Sequence, residues 1–346
     1  MANISDYFSS GGGGGGITPT ISFLGSQSWT PSYDMEAYVY VIGGGGSGCA
    51  GAGSADFLSG GGAGGCAISK LSLSSGTAYT VTIGAGGAQV TTSSGYTVGN
   101  AGGNTSFSGS GISTMTGNGG SGGLRIQYET LGSGSGASGG TATGGTIANF
   151  TGGKGGQITS QLSSARSGGG AVGLWTTGND GADGIGTGSL NRFLAGGNPN
   201  YDLGTYTADE ILNNHSYYGG DSAKSIPTIS PFGMDVSAVE HHGMLPRGNY
   251  YSNSTVQYGI PQLRLSGAPH PYYTYYDAAT YFAGTVAPAF HGGPGICSSQ
   301  ASIGGSASLG GGGGAGGIAN GYTAAACYGG CGGTGAVIIF PLSIGS

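Results

Sequence analysis

The residues able to do chemistry are few and unevenly placed. Five cysteines (Cys49, Cys66, Cys297, Cys327 and Cys331) are an odd set, so no complete framework of bridges follows. All but Cys297 lie in glycine-rich tracts, where a thiol reads as a small apolar filler between close backbones. A bridge from Cys49 or Cys66 to Cys327 or Cys331 is the alternative reading. Cys327 and Cys331 have three residues between them, which is not the C-x-x-C spacing of a zinc or redox pair. His241 and His242 are adjacent and would face opposite sides of a strand, so they read as loop residues rather than a metal pair. Asn179-Asp180-Gly181-Ala182-Asp183-Gly184 has the look of a calcium loop without its distal Glu, and reads as an Asp/Gly turn. Asp202, Asp209, Glu210, Asp221, Asp235, Glu240 and Asp277 could include a glycosidase pair, but their spacing along the chain sets no distance in space. They read as solvated surface. A phosphate loop is absent, since Lys154 is followed by Gly155, and G-x-G-x-x-G patterns carry no information among 84 glycines. The chain is therefore expected not to be an enzyme, and to use neither metal nor cofactor.

Tyrosine is the stronger signal. Residues 201–290 hold 12 of the 21 tyrosines and 4 of the 5 histidines but only 9 glycines, and 9 of the 12 prolines fall between Pro199 and Pro294. Tyrosine offers a rigid apolar face and a hydroxyl at low entropic cost, which suits binding loops. The candidate receptor-binding residues are Tyr217, Tyr218, Tyr250, Tyr251, Tyr272, Tyr273, Tyr275 and Tyr276. In an extended segment one of each adjacent pair points outward, while the others would make the small core of a glycine-poor subdomain. Thr207-Ala208-Asp209-Glu210 fits a capping box and marks one plausible helix start.

The elements that would hold these loops are unusual. Residues 36–53, EAYVYVIGGGGSGCAGAG, run from an alternating strand (Tyr38 to Ile42) into a stretch almost without side chains. TAYTVTIGAGG (77–87) repeats the device, and GGTGAVIIF (332–340) reverses it. A backbone in the polyproline-II conformation has about three residues per turn and no internal hydrogen bonds, so each buried amide needs a neighbour. Without side chains such helices can lie close enough to bond one another. Ordering glycine is costly, so the tracts must stack as a cooperative block. The candidates are 43–53, 59–65, 117–123, 132–145, 167–170, 310–317 and 329–335, with loops such as Leu124 to Leu131 at the two ends. The expected fold is mostly irregular and β: a polyglycine-II-like helix bundle pinned by short strands, with a Tyr/Pro-rich insertion and almost no α-helix. The expected divisions are 1–16, an attachment peptide and linker containing Asp6, Tyr7 and Phe8; 17–189, the first part of the scaffold; 190–295, the inserted binding region; and 296–346, the closing part.

Composition excludes several classes. Disordered chains are poor in aromatics and rich in charge, whereas here aromatics reach 10% and charged residues only 6%. The net charge of −6 has no basic stripe behind it, so no nucleic-acid partner is expected. No apolar run is long enough for a membrane helix, and MANISDYFSSGG lacks the features of a secretory signal. The chain is expected to be synthesised in a cytoplasm and, if it acts outside, to be carried there by some other route.

Phe23, Ser28-Trp29-Thr30-Pro31 and the Tyr/Val run into GGGG resemble the opening of the glycine-rich domain common in phage tail fibres and tail-tip adhesins. GGGAGGCAISKLSLSSGTAYTVTIGAGG (60–87) is similar to that family's middle hairpin, with strands Ile68–Leu73 and Tyr79–Ile83 around Ser75-Gly76. GGNTSF (102–107) and GGTGAVIIF (332–340) follow in the family's order. The resemblance covers about 17–123 and 300–342, while 190–295 departs from the pattern. It implies a virion tail component that recognises a host surface glycan or protein and binds other tail proteins, and it supplies no catalytic residues. A trimer is the family's usual arrangement; a self-contained bundle would permit a monomeric tip. The alternatives left open are a purely structural shaft, collar or decoration protein whose aromatic region is an assembly interface, an ice-binding or matrix protein, and a polysaccharide-degrading spike.

Overall fold

The computed structural model describes residues 20–52, 57–126, 136–156, 167–174, 176–181, 192–194, 282–283, 290, 292–293, 295–298, 302–307, 309–318 and 326–344. Among these residues the chain is mostly strand and extended glycine tract, with no helix.

Two five-stranded antiparallel sheets lie face to face at one end. The first has the order β1 (Ile21–Phe23), β21 (Ala336–Ile344), β3 (Met35–Ile42), β6 (Cys66–Leu73), β14 (Ala148–Phe150). The second runs β13 (Ala142–Thr143), β11 (Ile112–Gly117), β10 (Thr105–Gly109), β7 (Tyr79–Thr82), β2 (Gln27–Trp29). Alternation explains the core between them: Ala37, Val39 and Val41 of β3 meet Tyr79, Val81, Phe107 and Met115. Tyr79 stacks on Phe107 with centroids 5.5 Å apart, and Trp29 leans on Tyr79 at 6.1 Å. Alternation stops at Tyr40 because the outer face of the first sheet is covered there as well. Tyr40, Ile42, Ile68 and Ile338 pack against Val172, Leu174 and Phe290. Burial pushes the Tyr40 hydroxyl up to about 12, with the nearby Cys66 and Tyr38 adding to it, and burial also raises the Cys66 thiol.

The expected middle hairpin is not one. β6 pairs with β3 and β14, whereas β7 pairs with β10 and β2. The turn at Ser75-Gly76, with Gly76 at φ +73°, carries the chain from one sheet to the other. The apolar residues of β6 and β7 thus face each other across the core instead of lying side by side.

Beyond the sheets the chain shuttles back and forth as glycine tracts that bond one another through their backbones. Tract 43–49 takes its partners in rotation. Gly43, Gly46 and Cys49 donate to Gly65, Gly62 and Ser59 at 2.9, 2.9 and 3.2 Å; Gly44 and Ser47 donate to Gly103 and Asn100 at 2.9 Å; Gly45 and Gly48 donate to Gly333 and Gly330 at 2.8 and 2.9 Å. Its carbonyls accept in the same rhythm: Gly44 and Ser47 from Gly120 and Gly123, Gly46 and Cys49 from Gly313 and Gly316. Tract 59–65 is likewise enclosed, by 43–49, 118–123, 136–141, 151–156, 167–172 and 311–315. The bonds order the tracts in three layers. The outer layer is 84–87, 99–103, 118–123, 136–141, 151–156 and 178–181; the middle is 330–335, 43–49, 59–65 and 167–172; the third is 304–307, 311–315 and 292–293. A Cβ at Gly46 would run into the Ser121 carbonyl, so glycine there is a requirement of close approach. Where a tract ends and a backbone partner is missing, a buried hydroxyl replaces it. Ser167 Oγ accepts from the Gly60 amide at 3.1 Å and donates to the Gly156 carbonyl at 2.6 Å.

Several tracts differ from the expected ones. Tract 43–53 stops at Cys49, where β4 (Ala50–Gly51) begins, and in the described part of 132–145 the tract covers 136–141 before β13. The segments 84–87, 99–103, 151–156 and 178–181 join the stack although Ala, Asn, Thr, Lys or Asp interrupts them. No disulfide joins Cys49 or Cys66 to Cys327 or Cys331, and three of these four are fully buried fillers.

Candidate binding surface

The far end of the stack is closed by short strands. β4 pairs with β9 (Tyr96–Thr97) and with β19 (Gly316–Ile318); β19 continues to β17 (Gly295–Ser298) and β15 (Arg192–Leu194). Beside them β8 (Val90–Thr92), β20 (Cys327–Gly329), β18 (Ser302–Ile303) and β16 (Phe282–Ala283) form a second set, and β5 (Phe57–Leu58) pairs with β12 (Arg125–Ile126). The described residues that precede and follow 53–56, 127–135, 157–166, 182–191 and 319–325 lie at this end. β1 and the end of β21 lie at the other, in the paired sheets. Tracts 167–172 and 178–181, and 304–307 and 311–315, are instead joined at the sheet end, where Val172, Leu174 and Leu309 pack on the first sheet.

The tyrosine-rich insertion is anchored here. Its flanks are β15, on β17, and β16, on β18, so two successive strands of the chain hold both of its ends. Tyr217, Tyr218, Tyr250, Tyr251, Tyr272, Tyr273, Tyr275 and Tyr276 lie outside the described residues, as do the capping box at Thr207, the histidine pair, the carboxylates from Asp202 to Asp277, and Asp6, Tyr7 and Phe8.

One cluster at this end lies within the described residues. The Arg125 guanidinium sits over the Tyr96 ring, 4.4 Å from its centroid. Val98 and Leu124 flank the bond from the Gly99 amide to the Gly123 carbonyl, at 2.8 Å, and so lie side by side. Tyr96, Val98 and Leu124 are 45%, 48% and 43% exposed. They terminate two outward rows with a three-residue step: Val98, Ala101, Asn104 on one tract, and Asn118, Ser121, Leu124 on the next. Sequence reasoning passed over these residues, and that three-residue step was the signal that could have found them.

The calcium-like stretch takes another role in its described part. Asp180 Oδ1 accepts from the Lys154 amide at 2.7 Å, and the Gly181 amide donates to the Lys154 carbonyl at 2.9 Å. Asp180 thus binds a neighbouring backbone from an extended tract, not from the expected turn. Among the described residues no three His, Cys, Asp or Glu side chains converge on one point.

The sequence model of a family described as a glycine-rich domain matches residues 20–244. No curated protein matches the chain.

Proposed function

The chain belongs to the glycine-rich domain family, and from that premise we propose that it is a non-catalytic adhesin of a phage tail fibre or tail tip. In this reading the tracts are polyglycine-II-like helices forming a stiff scaffold, and the tyrosine-rich loops meet a host surface glycan or protein. Partners that recur every third residue around tract 43–49 support the helix type, since such a helix has about three residues per turn. A backbone fixed on all sides gives little under load and holds its loops in place.

The observation that carries the reading is the division of the molecule into two ends. The long connections start from one end, while β1, into which Asp6, Tyr7 and Phe8 lead, lies at the other. Attachment to the particle and contact with the host are then separated by the length of the stack. Several copies on one particle would strengthen individually weak contacts.

The test uses the insertion's paired anchors. Residues 195–281 are replaced by a short Gly/Ser linker joining Leu194 to Phe282, and competition for phage adsorption is measured with the purified chain. The parent should block adsorption and the shortened chain should melt normally but not block. Unaltered blocking would remove the insertion from the binding role and favour its use as an assembly interface.

A further inference from the structure

Strand and tract are continuous through most of the molecule. β21, β3, β6 and β14 of the first sheet, and β7, β10, β11 and β13 of the second, each run into or out of a glycine tract. β1 and β2 do not. They are the edge strands of one flank, beside β21 and β7, and the turn Leu24-Gly25-Ser26 joins them where the tracts begin. Tracts 330–335 and 84–87, which continue β21 and β7, bond each other from Gly332 to Gly87 and from Gly335 to Gly84, at 2.9 and 2.8 Å; no described tract lies outside them. Backbone groups are left over on this flank. The Ile83 amide donates to Ser26 Oγ at 2.9 Å, but three residues further on Gly86 neither donates nor accepts a hydrogen bond, and Thr334 does not use its amide. In tracts 43–49 and 59–65, by contrast, every amide is used. Gly86 is half-exposed, and the side chains bordering it, Ala85, Ala88, Cys331 and Thr334, are small.

We propose that this flank seats the glycine run Gly11–Gly16 of a second copy of the chain, laid along 84–87 and 330–335 as one more tract. Gly11–Gly16 is the longest glycine run in the sequence. A partner without side chains can come as close as the tracts come to one another, bringing acceptors to the Gly86 and Thr334 amides and a donor to the Gly86 carbonyl. Reach selects the second copy. β1 runs towards the stack, so the residues before it lead away, and a return uses about two residues for the reversal. Gly16 is five residues before Ile21, so about 10 Å of chain is left at ~3.3 Å per residue. Ile339, opposite Ile21, is four residues from Gly335, about 13 Å, and Thr334 and Gly86 lie further still. The run therefore cannot lie in full along its own flank, whereas that of a second copy can. A run on one copy and a flank on the next make a contact with unlike sides, which links copies head to tail. This goes beyond the adhesin reading and does not depend on it.

The full chain is followed by analytical ultracentrifugation over a range of concentrations, with hydrogen exchange read at Gly86. The parent should associate as concentration rises, and the Gly86 amide should exchange about tenfold more slowly in the associated form, the scale of one added hydrogen bond. Two variants should each keep the mass of one chain. In one, all six of Gly11–Gly16 are replaced by alanine, whose side chains hold the run away. The other is Thr334→Trp, which fills the flank from an exposed position. Mixed, the two should form pairs and go no further, since each keeps the half that the other lacks. A parent that stays single at every concentration overturns the proposal, as does association that survives either variant or a mixture that does not pair. Slow exchange at Gly86 in a single chain would put the run on its own flank and likewise overturn the second copy. Should Thr334→Trp melt below the parent, Ala88→Trp blocks the same flank from the neighbouring tract.

Discussion

Gly46→Ala should be among the most damaging single-methyl additions this chain can suffer. Gly46 lies in the enclosed tract 43–49, donating to Gly62 and accepting from Gly313, both at 2.9 Å. Its new Cβ would meet the Ser121 carbonyl, a backbone atom that no rotamer change can move aside. Tract 118–123 would have to back away. Doing so strains the bonds it accepts from 59–65, Gly62 to Ser121 and Gly65 to Asn118, both 2.9 Å and enclosed by other tracts. Leaving two buried donors poorly paired costs about 1–3 kcal/mol each. Alanine recovers only about 0.4–1 kcal/mol through the stiffer unfolded chain. The net loss is about 2–5 kcal/mol, or roughly 3–7 °C in melting temperature for a chain of this length. Gly25→Ala is the control. Nothing lies within 4 Å of its added Cβ and its φ is not left-handed, so it should be neutral or stabilising by up to about 1 kcal/mol. Thermal and urea unfolding of both variants decide the matter. If Gly46→Ala melts where Gly25→Ala does, the tracts are not a close-packed stack and the scaffold reasoning is wrong.

Other outcomes follow from the same geometry. Ser167→Ala removes the acceptor of the buried Gly60 amide and a donor to Gly156, and should cost about 1–3 kcal/mol; hydrogen exchange at Gly60 should speed up. Stability should fall as pH rises from about 10 towards 12, because the unfolded chain releases the Tyr40 proton that the folded chain still holds. Below that window both states are protonated and Tyr40 contributes no pH dependence, so Tyr40→Phe should flatten the alkaline limb alone. A thiol reagent applied to the native chain should modify half-exposed Cys331 before buried Cys66, as peptide mass analysis can read. Equal labelling of the two would contradict the closed packing around Cys66.

Much of the scaffold was legible because its strands obey ordinary rules. The run from Tyr38 to Ile42, the step into Thr105 and the closing AVIIF all became strands, each adjoining a glycine tract. Pairing was not legible. Ile68–Leu73 and Tyr79–Ile83 around a Ser-Gly turn look like a hairpin, and only the need of both strands to bury one face against the other sent them to different sheets. The diluted tracts were missed for a similar reason. A central tract is crowded on every side and tolerates almost nothing but glycine, whereas an outer one has a solvent side every third residue. Thr151 and Lys154 take such places on tract 151–156, and Ser138 and Thr141 on 136–141. Tyr96 and Arg125 belong together only because tracts 99–103 and 118–123 are neighbours.

The amino-acid sequence by itself determined that the chain is ordered around bare backbone: local composition decides where a Cβ is absent, and strand propensity decides where the backbone is pinned. Which tract lies beside which, and at which end two tracts are joined, was decided by tertiary structure alone. Every glycine amide is chemically alike, so nothing in a glycine tract names its partner. The choice falls to the order in which the pinned strands assemble their sheets.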